Sequence, residues 1–406
     1  MTARLRPHVW TVVPRLRHSV RPLAVPAAEP WQAVVDDPAI GPVTLSGLLR
    51  RCPPRLRSAA SLGLPAAGAA GAETGAPAAA EGENGASGGE LVVLVHGLGG
   101  NIHTHYMRRG ALAAEAAGLS CLRLHLRGAD FSGEDYYHAG LTVDLHAALA
   151  SPALRPYGRI HVLGYSLGGH LVLRFATEPG DPRVASVAAV CAPLDLGLSQ
   201  QAIDSPDRWL YRRYLLSNLA HLYAAVAARR PVPVPLAEVA RMRKLRDFDE
   251  RVVAPRHGFA GAEDYYLRAS VAPRLGELRL PSLLVNSTGD PMVAASAVLP
   301  ALARPVPRLE VRWVADGGHV GFPRGVDLGL DPGGRPGASA GREARAAAPS
   351  VDDQVLAWLR AARVAPAVRL DPADRAAGVD RAPRAAPAAP PLSTVLPAPA
   401  AGTESR

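Results

Sequence analysis

Cysteines are scarce in this chain of 406 residues, which has only Cys52, Cys121 and Cys191. No two of them form a CxxC pair, so the sequence offers neither a disulfide framework nor a cysteine-based zinc site. Thiols without disulfide partners are typical of reducing compartments. We therefore predict a cytoplasmic location.

Long apolar runs are also missing. No stretch reaches the roughly 18 apolar residues that a transmembrane helix needs, so we predict no integral membrane segment. The arginine-rich N-terminus is interrupted by Pro7, Pro14, Pro22 and Pro26, and it lacks the apolar core of a signal peptide. Peripheral contact of these arginines with a membrane is compatible with the sequence.

The middle of the chain has little of the net charge of +9. Residues 1–58 hold nine arginines against three acids, and residues 363–406 hold six arginines against four acids. A nucleic-acid groove would need its positive charge along one folded surface. We therefore predict solvated basic ends and no nucleic-acid partner.

The composition changes abruptly along the chain. We predict an N-terminal basic segment at 1–58, a disordered Ala/Gly-rich linker at 59–90, a folded domain at 91–362 and a disordered Ala/Pro-rich tail at 363–406. The linker and the tail contain too few large apolar residues to offset the entropy lost on ordering. Residues 323–350, rich in Gly, Ala and Arg, are expected to loop out of the folded domain.

Strand and helix patterns alternate within the folded domain. Apolar strand patterns lie at 91–95, 121–126, 160–163, 184–190, 282–285 and 309–314, and helical patterns at 105–118, 139–150 and 351–362. This alternation predicts an α/β fold, with a mostly parallel sheet covered by helices on both faces. Helical patterns alone fill about 196–275, which we predict to be a lid over the end of the sheet at which the strands lead into the proposed catalytic turns.

One strand pattern leads directly into the sequence GYSLG at 164–168, and a helical pattern follows. G-x-S-x-G between a strand and a helix is typical of a nucleophile elbow, whose tight turn exposes the serine. Two further matches, at Ser87 and Ser339, lie in Ala/Gly-rich sequence without this context. We therefore predict Ser166 as the nucleophile.

A serine hydroxyl needs a base, and the base needs an orienting carboxylate. In this arrangement the acid follows the serine along the chain, and the histidine comes last. Asp290 lies in the turn after the strand pattern at 282–285, and His319 follows the final strand pattern. Asp195, after an earlier strand, and Asp316, close to His319, are alternative acids.

The oxyanion hole is expected to use the backbone N–H groups of Leu98 and Leu167. Leu167 follows the nucleophile at a helix N-terminus, and Leu98 lies in a glycine-rich loop after the first strand of the folded domain. His103 and His105 are two residues apart, but no further ligand accompanies them at a suitable spacing, so we predict no metal. No phosphate-binding or dinucleotide fingerprint occurs, and we expect no cofactor.

Many of these motifs resemble the YheT-like branch of the α/β-hydrolase superfamily, which includes esterases and lipases. They are HGLGG at 96–100, HLRG at 125–128, GYSLGG at 164–169, APLDL at 192–196, YRRYLL at 211–216, DFDER at 247–251, HGFAG at 257–261, EDYY at 263–266, GDP at 289–291 and GGHVGF at 317–322. The resemblance covers about 91–362, with a weaker echo in PHVWT at 7–11. It implies the α/β-hydrolase fold with a helical lid, and a triad of Ser166, Asp290 and His319.

The resemblance also implies a reaction, the hydrolysis of a small acyl ester through an acyl-enzyme. An apolar stripe along 209–223 would favour short- to medium-chain acyl groups if it faces the serine, but it could equally pack on the core. Acyl transfer to an alcohol uses the same intermediate and is one alternative. A non-catalytic binding module is another, because a fold alone does not determine function.

Overall fold

An eight-stranded sheet forms the centre of the computed structural model, which describes residues 5–52, 89–330 and 348–362. The strand order is β1-β2-β4-β3-β5-β6-β7-β8. The strands are β1 (Glu29–Asp37), β2 (Gly41–Arg50), β3 (Gly89–Val95), β4 (Ser120–Leu124), β5 (Tyr157–Tyr165), β6 (Val184–Val190), β7 (Ser282–Ser287) and β8 (Leu309–Val314). β2 pairs antiparallel with both β1 and β4, and all the other pairs are parallel.

Helices connect the strands and cover the sheet. They are α1 (Arg6–Val20), α2 (His105–Ala116), α3 (Val143–Ala150), α4 (Leu167–Phe175), α5 (Leu196–Ile203), α6 (Trp209–Ala227), α7 (Leu236–Val239), α8 (Leu245–Phe248), α9 (Ala254–Arg256), α10 (Ala262–Ala269), α11 (Ala295–Val298) and α12 (Val351–Ala361). α5 to α10 lie between β6 and β7, where the sequence predicts the lid. Among the described residues, no helix is long and apolar enough to span a bilayer.

Both faces of the sheet are buried, as the continuous apolar strand patterns predict. Along β3, Leu91, Val93 and Val95 belong to one hydrophobic core, and Val92 and Leu94 belong to a second core. All five side chains are fully buried. Successive side chains of a strand point to opposite faces, so an apolar run without polar alternation requires cover on both sides. The prediction of an α/β fold with a mostly parallel sheet covered on both faces is confirmed.

The first 50 residues take part in the same sheet. β1 and β2 form a hairpin, and β2 pairs with β4 through Gly47 to Arg50. The sequence predicts only a basic segment there, and the structure adds two strands and a helix. The division into segments at 1–58, 59–90, 91–362 and 363–406 itself stays a prediction.

Several predictions fall on residues outside the described part of the chain. They concern the linker up to residue 88, with Ser87, the stretch 331–347 with Ser339, and the tail at 363–406. The described chain resumes at Gly89, where β3 begins, so the last two residues of the predicted linker belong to this strand.

A buried arginine fastens the N-terminal hairpin to the rest of the sheet. Arg127 is 1% exposed and contacts Asp37 at the end of β1, at 2.5 Å, together with Asp135 at 3.1 Å and Asp144 in α3 at 2.5 Å. Burial alone would raise the pKa of Asp37, but the hydrogen bond from Arg127 lowers it to about 2. Arg256 approaches Asp37 and Asp135 from the lid. One guanidinium thus links β1, α3 and the loop after β4.

We predict that Arg127→Met lowers the free energy of unfolding by about 3–5 kcal/mol, because it leaves buried carboxylates without their central cation. Urea unfolding of both proteins measures the difference. Arg274→Met is the matched control, since Arg274 pairs with Glu277 at the surface and such pairs contribute less than about 1 kcal/mol. Equal losses in the two variants would contradict the role assigned to Arg127.

Candidate active site

Ser166 lies in a strained turn between β5 and α4. Its backbone has φ 54° and ψ −122°, a region that residues with a side chain rarely adopt. A Cβ on Gly164 would lie 2.2 Å from the carbonyl oxygen of Gly168, and one on Gly168 would lie 2.4 Å from that of His96. The glycines on either side of the serine therefore provide the clearance that this tight turn needs.

A hydrogen-bond chain joins the three residues that the sequence predicts as a triad. His319 Nε2 lies 2.9 Å from Ser166 Oγ, and His319 Nδ1 lies 2.8 Å from Asp290 Oδ2. The other carboxylate oxygen, Oδ1, accepts from the backbone N–H groups of Met292 and Val293 at 2.8 and 2.9 Å. This geometry allows the imidazole to take a proton from the hydroxyl while the carboxylate holds its opposite nitrogen.

The two alternative acids have other partners. Asp195 is the N-cap of α5, and its side chain accepts from the backbone N–H of Leu198 at 2.9 Å. Asp316 forms an exposed ion pair with Arg6 at 3.4 Å. Neither carboxylate forms a hydrogen bond with His319 among the described residues. The hydrogen-bond geometry therefore selects Asp290 among the three candidate acids more clearly than position in the chain does.

α1 packs directly on the loop that carries His319. Thr11 Oγ1 accepts from the backbone N–H of His319 at 2.8 Å and donates to the carbonyl of Pro7. A Cβ on Gly318 would lie 2.2 Å from that same carbonyl oxygen, and one on Gly321 would lie 2.0 Å from the carbonyl of Trp10. The absence of side chains at Gly318 and Gly321 therefore makes room for α1 beside the histidine loop.

Cys191 lies behind the hydrogen-bonded pair of Asp290 and His319, and their ligand atoms are within 4.8 Å of one another. The side chains of Asp290 and His319 bond to each other, and burial raises the pKa of the Cys191 thiol well above its usual range. A metal would need the thiolate. The thiol instead accepts from Val320 N–H at 3.3 Å, which ties the histidine loop to β6. His103 and His105 belong to no three-residue ligand group within the described ranges.

His96 fixes the loop that is predicted to form one side of the oxyanion hole. It is fully buried, and burial lowers its pKa to about 3, so the ring is neutral. Nε2 accepts from the backbone N–H of Leu126 at 3.0 Å, which assigns the proton to Nδ1, and Nδ1 donates to the carbonyl of Gly97. Tyr106 and Tyr137 accept from Gly97 and Gly99 N–H. The loop is therefore held from three directions.

Leu98 and Leu167 both line a cavity that also contains Ser166 and His319. Neither backbone N–H donates a hydrogen bond to another group within the described chain. Leu167 is the first residue of α4, where backbone N–H groups have no partner inside the helix. Both groups are thus free to bind a negatively charged oxygen, although their role in catalysis stays a prediction.

The cavity has a volume of about 840 Å³, and α1 and the lid form much of its wall. α6 contributes Leu210, Tyr211, Tyr214, Leu215 and Asn218, and α1 contributes Thr11, Val12, Arg15, Leu16, His18 and Ser19. The predicted apolar stripe on α6 therefore divides along its length. Its N-terminal part lines the cavity, and its C-terminal part, with Leu219, Leu222 and Tyr223, packs in the core. The contribution of α1 was missed, although the sequence echo at 7–11 was a signal for it.

Comparison with known proteins identifies the family. A sequence model described as "alpha/beta hydrolase fold" matches residues 90–325. YheT of Escherichia coli (strain K12), which its name calls a candidate esterase, is 33% identical over 58% of this chain and 72% of its own length. Phospholipase ABHD3 of Homo sapiens is 26% identical over 58% of this chain and 59% of its own.

A fungal protein is similar over the same share of the chain. It is the medium-chain fatty acid ethyl ester synthase/esterase 2 of Saccharomyces cerevisiae, 27% identical over 57% of this chain and 58% of its own length. This chain thus spans less than two thirds of the human and yeast relatives. The reactions given in the relatives' names are therefore reported for those proteins and are not assigned to this chain.

We predict that Ser166→Ala lowers kcat/KM for an ester substrate by at least about 10⁴-fold, because it deletes the hydroxyl that His319 contacts. A p-nitrophenyl ester assay measures the loss, and thermal unfolding checks that the fold persists. Ser87→Ala and Ser339→Ala are controls with the same sequence motif and should retain full activity. Near-normal turnover by Ser166→Ala would remove the elbow from the mechanism.

Asp290→Asn should lower kcat by about 10³- to 10⁴-fold, since an amide favours the wrong tautomer of His319. Asp195→Asn and Asp316→Asn are matched controls, and each should change kcat by less than about threefold. Asparagine still caps a helix, and an exposed ion pair contributes little. If Asp195→Asn loses more activity than Asp290→Asn, the acid belongs to the earlier strand.

Proposed function

The chain belongs to the α/β-hydrolase family and to its YheT-like branch, and on that premise we propose that it hydrolyses carboxylic esters with short- to medium-chain acyl groups. The observation that carries the proposal is the hydrogen-bond chain from Ser166 through His319 to Asp290 on the wall of a large cavity. Nucleophile, base and acid then act on a substrate that the cavity holds.

In the proposed reaction Ser166 Oγ attacks the ester carbonyl carbon while His319 Nε2 takes the hydroxyl proton. Asp290 keeps the imidazole in the required tautomer and stabilises its charged form. The N–H groups of Leu98 and Leu167 bind the oxyanion. The intermediate collapses, the alcohol leaves with the proton from His319, and an acyl-enzyme remains. Water attacks that ester by the same steps in reverse and releases the carboxylic acid.

The lining of the cavity supports an acyl substrate. Val12, Leu16, Leu210 and Leu215 place apolar side chains from α1 and α6 in the same cavity as Ser166. An acyl chain gains free energy from such surface, whereas a charged peptide would lose hydration there. The name of the yeast relative, which includes medium-chain esters, favours the same class of acyl group.

Acyl transfer to an alcohol is the second candidate, because that relative is named as both a synthase and an esterase of ethyl esters. The acyl-enzyme is common to both reactions, and only the attacking group differs. The ratio of acid to ethyl ester formed in water containing ethanol separates them. A ratio that follows the molar ratio of water to ethanol supports hydrolysis, and a strong excess of ethyl ester supports transfer.

A binding module without catalysis is the remaining alternative. A fluorophosphonate reacts with activated serine hydroxyls, so labelling of the protein and its loss in Ser166→Ala would support the enzyme. An unlabelled, folded protein would favour a binding role instead.

We propose a small-molecule ester as the partner, with no nucleic acid, no cofactor and no metal. The three cysteines are free, which agrees with a cytoplasmic location as a prediction. Peripheral membrane contact stays a prediction as well. Leu16 and Val20 of α1 are 57% and 87% exposed, beside the basic residues Arg17 and Arg21.

We predict that kcat/KM rises from acetyl to medium-chain p-nitrophenyl esters and then flattens or falls. Each buried methylene contributes about 0.8 kcal/mol, or about fourfold, and kcat/KM rises by the part kept in the transition state. Leu215→Ala should flatten the rise, because Leu215 lines the cavity. Leu219→Ala is the control one turn away in the core, and it should lower Tm without changing the profile. A wild-type profile that peaks at acetate would contradict the acyl pocket.

A further inference from the structure

Besides its apolar side chains, the cavity wall contains two deeply buried polar residues. Asp249 is 8% exposed and Gln200 is 7% exposed, and both line the cavity together with Tyr266. Neither residue belongs to the hydrogen-bond chain of Ser166, His319 and Asp290. Buried side chains of this kind are normally satisfied by protein partners, so each of their polar atoms needs an explanation.

Asp249 has one donor where a buried carboxyl normally has several. Tyr266 donates its hydroxyl proton to Oδ2 at 2.7 Å. No group of the described chain donates a hydrogen bond to Oδ1. Because Asp249 lines the cavity, Oδ1 is available to a donor on a bound ligand.

Gln200 has the same deficit on its carbonyl oxygen. Its Nε2 donates to Asp204 Oδ2 at 2.5 Å, which fixes the orientation of the amide and leaves Oε1 as the free end. Within the described residues nothing donates to Oε1. Asp204 also accepts from the backbone N–H groups of Leu245 and Arg246, so this carboxylate is anchored and holds Gln200 in place. The cavity wall therefore has two acceptor oxygens that receive no hydrogen bond from the described residues.

The backbone at Asp249 is unusual. Residues Asp249–Val253 form one π-helical turn between α8 and α9, and the N–H of Ala254 bonds to the carbonyl of Asp249. Such turns are rare and occur frequently at functional sites. Burial, with a contribution from Asp204, also raises the pKa of Asp249 to about 7, although the hydrogen bond from Tyr266 opposes the change.

We propose that Asp249 and Gln200 form a polar subsite that binds a free hydroxyl group of the ester substrate, carried on its alcohol portion. A hydroxyl donates one hydrogen bond and supplies what Oδ1 or Oε1 lacks. The proposal rests on the ester hydrolysis proposed above, and it adds a specificity that an apolar pocket alone cannot provide. An ester without the hydroxyl would displace water from these acceptors without replacing its hydrogen bonds, which a polar site disfavours.

The test compares two esters of equal size, 2-hydroxyethyl octanoate and propyl octanoate. Wild type should prefer the hydroxylated ester by about tenfold in kcat/KM, within the range expected for one hydrogen bond. Asp249→Leu should abolish the preference, and Asp249→Asn should reduce it. The ratio for one protein sample does not depend on the fraction that is folded, so a destabilised variant still gives a valid result.

A matched control and two further substrates complete the design. Asp195→Asn changes a carboxylate of the same helix as Gln200 that does not line the cavity, and it should leave the ratio unchanged. Ethyl 8-hydroxyoctanoate and ethyl nonanoate place the hydroxyl on the acyl chain, and an Asp249-dependent preference confined to that pair would overturn the assignment to the alcohol portion. A preference for octanoylcholine, the octanoate ester of choline, over 3,3-dimethylbutyl octanoate that disappears in Asp249→Leu would show a site for positive charge instead.

Failure of this proposal is distinguishable from failure of the proposed function. If neither ester is hydrolysed by wild type, the hydrolase assignment fails. If both are hydrolysed at equal rates, and equally in Asp249→Leu, the hydrolase assignment stands and the polar subsite is refuted.

Discussion

The close approach of three backbone segments at Ser166 is the constraint on which the site depends. A Cβ on Gly97 would lie 2.8 Å from Ser166 Cβ, and a Cβ on Gly168 would lie 2.5 Å from the carbonyl oxygen of Val95. The end of β3, the turn after β5 and the start of α4 are thereby fixed against one another. Leu98 follows the first segment and Leu167 begins the third. The free N–H groups therefore lie beside the serine as a consequence of how the backbone packs.

The N-terminal 50 residues support the histidine loop of the site and extend the central sheet. Thr11 supports the backbone of His319, and the hairpin of β1 and β2 extends the sheet, where Arg127 holds its end. These contacts differ in strength. The pair between Arg6 and Asp316 is exposed and contributes little, whereas the Arg127 group is buried and cannot exchange its partners for water. α1 also packs on Gly318 and Gly321 and contacts α6, where His8 bonds to the Tyr211 hydroxyl at 2.7 Å and Arg15 lies 3.6 Å over the Tyr214 ring.

The sequence predicted β3 to β8 because their apolar runs are local signals. It did not predict α1, since its prolines suggested a broken segment. Pro7 lies in the first turn, where a missing N–H costs nothing, and Pro14 is tolerated inside the helix. β2 was missed for another reason. Its buried residues Val43, Leu45 and Leu49 alternate with partly exposed ones, a weaker pattern that Gly47 interrupts.

For the site, chain order was sufficient to select Ser166, Asp290 and His319 for the positions that the structure joins by hydrogen bonds. Partners far apart in sequence could not be predicted in this way. Asp37, Asp135 and Asp144 are ordinary acids until folding brings them to one guanidinium. The same holds for Gln200 and Asp249, whose motifs gave no indication of a shared cavity wall.

Asp290 and Asp249 are two buried carboxylates near the cavity that differ in their hydrogen-bond partners within the protein. Asp290 accepts from two backbone N–H groups and faces the ring of His319, so both of its oxygens have partners. Within the described part of the chain, Asp249 accepts from Tyr266 alone, and its other oxygen is available from the cavity. A ligand that displaces water from this oxygen without donating a hydrogen bond loses binding free energy. Binding therefore favours molecules with a donor at the right place. A shortage of donors in a cavity beside a nucleophile therefore acts as a filter for substrates, and the same shortage elsewhere in the core would only weaken the fold.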